Sequence, residues 1–188
     1  MPRQVFDYDP PERFVAGTVG EPGSRTFFLQ ARSGTRVTSV ALEKAQVSVL
    51  AERVEELLDE VLRVSGGTAP VPAVAPVDAE DSAPLDAPIE EEFRVGAMSL
   101  AWDPEAGRVV VECFAEGVDV DEDEVEADAD ADDDDGSVLR VSLSGAAARA
   151  FTKRALAVVA AGRPPCPFCN GPLDPSGHIC PRANGYRR

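Results

Sequence analysis

Apolar positions along the chain change their period several times, and each change marks an element. Phe14–Val19 and Arg25–Ala31 are rich in aromatic and β-branched residues and flank Glu21-Pro22-Gly23-Ser24, which predicts a β-hairpin around a tight turn. Arg32-Ser33-Gly34-Thr35 predicts a second turn. It leads into Arg36–Ala41, where Val37, Ser39 and Ala41 alternate with Thr38, Val40 and Leu42 as in a half-buried strand. The spacing then becomes helical. Leu42, Ala45, Val49, Leu50, Val54, Leu57, Leu58 and Val61 recur at helical intervals, with Glu52, Arg53, Glu55, Glu56, Asp59 and Glu60 filling the opposite face. Gly66-Gly67 ends this helix.

The same order returns after residue 92. Phe93–Trp102 predicts a strand, Asp103–Gly107 a turn, Arg108–Ala115 a second strand and Val138–Leu143 a third. Ser144 is placed to N-cap a helix that runs to Val159. Leu42, Ala45, Leu50 and Arg53 align with Leu143, Ala146, Phe151 and Arg154 at an offset of 101, whereas Arg25 aligns with Arg108 at an offset of 83. The expected fold is α+β: a duplicated β-β-β-α unit, its antiparallel meanders covered by two helices. The first repeat occupies residues 5–65 and the second 93–161, with 66–92 between them and a short tail, 162–188, at the end.

Charge divides the chain differently. There are 34 acidic and 18 basic residues, a formal net charge of −16. Twelve of the acids lie in Asp119–Asp135 and seven in residues 66–92, and neither stretch contains a base. Like-charge runs bury too little apolar surface to offset the entropy of ordering, so 117–136 is expected to be a disordered insertion between two strands and 66–92 a flexible, Pro-rich linker. The remainder carries 15 acids against 18 bases, and Val138–Arg188 holds eight bases and one acid. A near-neutral body with a basic C-terminal third does not exclude an acidic partner there. With no run of about 18 apolar residues and no apolar core to the N-terminus, the chain reads as cytoplasmic, without a membrane span.

Chemistry concentrates in the tail. Cys166, Cys169, His178 and Cys180 form C-x2-C-x8-H-x-C, so four of the five cysteine and histidine residues fall within fifteen positions. A C-x2-C turn aims two thiolates at one ion, and a second pair closes a tetrahedron, which points to one structural zinc ion per chain. Asn170-Gly171 supplies the tight backbone of such a knuckle. A redox C-x-x-C pair or a disulfide competes with this reading. Pro172 and Pro175 break the helix that a thioredoxin-like site needs, and a reducing cytosol disfavours the disulfide. Four protein ligands leave no open position for water, so zinc catalysis is not expected.

Elsewhere, Cys113 lies in an apolar strand and reads as a small hydrophobe, and Trp102 as core or rim. No second histidine, G-x-S-x-G, P-loop or G-x-G-x-x-G is present, which argues against an enzyme. The cations Arg149, Lys153 and Arg154 on the last helix, with Arg182, Tyr186, Arg187 and Arg188 after the knuckle, are candidates for partner binding. That partner is read first as an unidentified protein. Nucleic acid is the alternative, with the acidic insertion as internal competitor and Tyr186 stacking on a base. A thiol redox or metal sensor built on the C-x2-C pair is a third reading.

Three segments together resemble an actinobacterial family catalogued as domain of unknown function 3090. They are Phe14–Ala31, Val40–Lys44 with its helix, and Gly162–Cys169 continued through Asp174–Arg188. The resemblance implies a cytosolic actinobacterial protein and brings no established activity with it.

Overall fold

The computed structural model describes residues 4–117, 136–162, 165–171, 173 and 178–182. Seven strands form one sheet: β1 (Val5–Tyr8), β2 (Arg13–Val19), β3 (Thr26–Ser33), β4 (Arg36–Leu42), β5 (Glu91–Asp103), β6 (Arg108–Ala115) and β7 (Val138–Ser144). Helix α1 (Lys44–Val64) follows β4, and α2 (Gly145–Ala160) follows β7. The expected strands and both helices are present, and the fold is α+β. Helix α1 starts two residues later than its periodicity suggests, because Leu42 is the last residue of β4 and belongs to the sheet. β1 is an additional strand that short-range pattern does not reveal.

The strand order is β1-β7-β6-β5-β4-β3-β2, with β1–β7 and β4–β5 parallel and the other pairs antiparallel. β1 and β2 therefore lie at opposite ends of the order although only Asp9–Glu12 separates them. Six interstrand spacings of roughly 4.8 Å would part the edges of a flat sheet by about 29 Å. The chain from Tyr8 to Arg13 reaches at most about 18 Å. The sheet is accordingly curled. The Tyr8 hydroxyl meets that of Thr38 on β4 at 2.8 Å, and Phe6 packs against Phe93 of β5 with ring centres 6.3 Å apart.

The order β2-β3-β4-α1 recurs as β5-β6-β7-α2, and strand pairing corrects the alignment of the hairpins. Val19 pairs with Thr26 and Asp103 with Arg108 at the two hairpin ends, so related positions differ by 84 in β2 and β5 and by 82 in β3 and β6. A uniform offset of 83 would match buried Leu29 with Glu112 on the opposite face, because a slip of one residue inverts a strand. Leu29 corresponds to Val111 instead, and both are fully buried. The offset of 101 holds for β4, β7 and the helices. Asp7 pairs with Arg140 as Glu91 pairs with Ser39, so β1 and β2 together occupy the place that the long strand β5 fills alone.

One core unites sheet and helices. Val47, Leu50, Ala51, Val54 and Leu58 of α1 are buried with Ala148, Phe151 and Ala155 of α2 against Leu29, Val40, Val111, Leu139 and Val141. Phe14 stacks on Phe151 at 4.7 Å. The amide of Glu43 donates to Gln46 Oε1 (2.7 Å), while Gln46 Nε2 donates to the Val95 carbonyl (3.0 Å), which ties the start of α1 to β5. Gly66 and Gly67 end α1 with φ of 60° and 83°. Ser144 caps α2 as expected, accepting from the Ala147 amide at 3.2 Å. No described helix is long and apolar enough to cross a membrane.

Residues 66–92 depart most from expectation. Instead of a flexible linker they form a strap with specific partners along its length. Val71 is buried in the core, Pro72 accepts from Arg149 Nε, and Val77–Ala79 makes one 3-10 turn. Arg13 and Arg154 hold Asp81, and Gln30 binds the backbone of Asp86. Composition alone signals solubility for such a segment, but these acids meet buried cations supplied by β2 and α2. The expected insertion, 117–136, falls almost wholly outside the described residues.

Close approach of the strap needs glycine. A Cβ at Gly17 would stand 2.6 Å from Leu85 Cγ, and one at Gly145 would stand 2.8 Å from the Pro70 carbonyl oxygen. Gly17→Ala is therefore expected to destabilise the fold by about 1–3 kcal/mol in urea denaturation. Combined with Leu85→Ala, it should add little to the effect of Leu85→Ala alone.

Candidate metal centre

Beyond α2 the chain turns back on itself at Cys166. The Cys166 amide donates to the Gly171 carbonyl (2.7 Å) and the Asn170 amide to the Cys166 carbonyl (2.8 Å). Asn170 closes the turn with φ of 61°, a left-handed conformation that asparagine tolerates. This small loop brings Cys166 and Cys169 together, and His178 and Cys180 lie beside them. Arg182 braces the return by donating to the Phe168 carbonyl at 3.2 Å.

The ligand atoms of Cys166, Cys169, His178 and Cys180 all lie within 4.8 Å of one another. Cys166 Sγ and Cys180 Sγ are 3.8 Å apart, and Cys169 Sγ is 3.0 Å from His178 Nε2. A tetrahedral ion with metal–sulfur bonds of about 2.3 Å has a sulfur–sulfur edge of about 3.8 Å, which the first pair already matches. A disulfide needs about 2.05 Å, and none of the four cysteines is in a disulfide. The amides of Cys169 and Phe168 point at Cys166 Sγ and lower its thiol to about 6. Cys169 shifts the other way: the Gly171 amide favours its thiolate, but burial and the neighbouring Cys166 and Cys180 sulfurs outweigh that. The four residues singled out by spacing are thus positioned to hold a metal ion. Cys113 stands apart, fully buried on β6, where desolvation pushes its thiol to about 12.

A model of the family described as "Protein of unknown function (DUF3090)" matches residues 6–180. The chain belongs to that family. No curated protein and no solved structure matches it. The match takes in the curled sheet, the strap and the knuckle up to Cys180, and so treats them as parts of one DUF3090 unit.

The other site residues expected from sequence fare differently. Arg149 has only 3% of its side chain exposed and binds Glu55, Asp59 (2.5 Å) and the Pro72 carbonyl. Arg154, 12% exposed, binds Asp81 and the carbonyls of Ala16 and Ala83, while Lys153 pairs with Glu80. These three cations pair with acids of α1 and the strap, so they are not a free basic face on α2. Arg182 is exposed beside the knuckle, and Tyr186, Arg187 and Arg188 lie outside the described residues. Sequence reasoning missed the clamp on the strap, formed by Arg13, Gln30 and Arg154. Its members are spread over the chain and share no local spacing.

Two outcomes follow. In metal-free protein, Ellman's reagent should modify Cys166, Cys169 and Cys180, with Cys113, buried on β6, reacting only when the sheet unfolds. Arg149→Leu should lower stability by about 1–3 kcal/mol in chemical denaturation, because it leaves Glu55, Asp59 and the Pro72 carbonyl without their guanidinium partner.

Proposed function

We infer that this DUF3090 chain is a non-enzymatic, cytosolic interaction protein whose C-terminal knuckle is folded by one structural zinc ion held by Cys166, Cys169, His178 and Cys180. The observation that carries the reading is the convergence of three sulfurs and one imidazole nitrogen within 4.8 Å in a segment that lacks an apolar core of its own. Three soft thiolates and one imidazole suit zinc over magnesium or calcium, which take oxygen ligands. Four protein ligands close the coordination sphere, so the ion would supply folding free energy and no catalytic water. Around it, Phe168 and Ile179 are 63% and 82% exposed, which suits a knuckle that presents apolar side chains to a protein. The two β-β-β-α halves are read as copies of one unit, a reading supported by the recurrence of strand register between them.

Elemental analysis of purified protein is expected to give one zinc per chain, and X-ray absorption should fit three sulfurs and one nitrogen. Cys180→Ser should lose the metal while leaving the far-ultraviolet spectrum of the sheet and helices nearly unchanged. Zinc-free protein with a reversible Cys166–Cys169 disulfide would displace this reading in favour of a thiol sensor.

A further inference from the structure

The strap is held the way a peptide is held in a recognition groove. Arg13 donates Nε and Nη2 to the two carboxylate oxygens of Asp81 (2.6 and 3.0 Å) and Nη1 to Asp86 (3.0 Å). Its Nη2 also reaches the carbonyls of Ala83 (3.0 Å) and Pro84 (2.9 Å). Arg154 grips the backbone carbonyl and the carboxylate of Asp81 (2.7 and 2.8 Å) and the Ala83 carbonyl (2.8 Å). Gln30 reads the backbone of Asp86 in both directions, donating to its carbonyl at 3.0 Å and accepting from its amide at 2.7 Å. Gly17 leaves the space that Leu85 fills. Paired guanidinium forks on a carboxylate, an amide paired with a backbone and a notch for one leucine are the components of linear-motif recognition.

The strap is held at Asp81 and Asp86 and leaves space beside residues 78–83. A cavity of about 640 Å³ remains between the strap, β2 and α2. Its walls include Phe14, Phe151 and Ala150, and the strap lines it with the acids Asp78, Glu80 and Asp81 and, between and after them, the small side chains Ala79, Ser82 and Ala83. Cavities of this size accept a substantial apolar group. A peptide with the same acidic anchors and a bulky residue between them would fill it.

We propose that the groove between β2 and α2 is a docking site for an extended acidic peptide of a partner protein, patterned Asp–bulky apolar–x–x–Leu–Asp, and that residues 81–86 occupy it in cis as a tethered competitor. Tethering sets a high local concentration, so the partner gains access when the strap lets go. The proposal is independent of the metal reading, and removal of the metal leaves its test unaffected.

The probe is a fluorescein-labelled peptide copying residues 78–87 with Ser82→Phe, titrated against the full chain by anisotropy. Asp81→Asn with Asp86→Asn loosens the strap without changing its shape. Binding to this double variant is expected to be at least tenfold tighter than to the unaltered chain, and at least tenfold weaker again when Arg13→Gln is added. Equal binding to all three, or a concentration-dependent dimer that exchanges straps between copies, would overturn the assignment to a partner peptide. Should the double variant not fold, hydrogen exchange on the unaltered chain decides. Millimolar peptide should speed exchange of the Asp86 amide severalfold, and an unchanged rate refutes the proposal.

Discussion

Residues Asp9–Glu12 join two strands that stand at opposite ends of a seven-stranded order, and the architecture follows from how short that join is. A flat sheet cannot be spanned by so few residues, so β1 and β2 must approach across the curl. Curling brings residues of β1, β4 and β5 into contact on the concave side, where the Tyr8 and Thr38 hydroxyls satisfy each other away from water. It also leaves the outer edge of β2 to be covered by something other than a strand. Helix α2 does this: Arg154 donates from its side chain to the Ala16 carbonyl, a group that edge strands otherwise offer to another chain.

The strap completes the cover, and it changes the meaning of the net charge. Glu80, Asp81 and Asp86 belong to a segment without a base, yet each faces a cation from β2, β3 or α2. Arg13 and Arg154 are cations set close together, and each disfavours the other's charge. With Asp81 beside them, the Arg13 guanidinium is held above its ordinary value and the Asp81 carboxyl below its own. Several of the 34 acids are therefore internal counter-charge for buried arginines.

How much of this was legible beforehand depends on the range of the interaction. Periods of two and 3.6 residues located β2–β7 and both helices, because each is a local consequence of burying one face. Ser144 was readable as a cap because its partner lies three residues away. The candidate metal centre was readable because its four residues fall within fifteen positions and only a few residue types bind such ions. β1 was not: four residues with one buried side chain carry no period, and the strand exists because β7 offers an edge. The strap was misread for a similar reason. Its composition is that of a soluble linker, and nothing near it in sequence shows Arg13 or Arg154; the basic character of Arg154 pointed instead to an external partner.

One further consequence concerns the turn between β6 and β7. The Ala115 amide donates to the Ser137 carbonyl at 2.9 Å, so the sheet is pinned shut at the base of everything from Glu116 to Gly136. Once such a neck is closed, lengthening the loop beyond it costs only about 0.6 kcal/mol for each doubling. The fold is consequently indifferent to how many residues, or which, are threaded through that point.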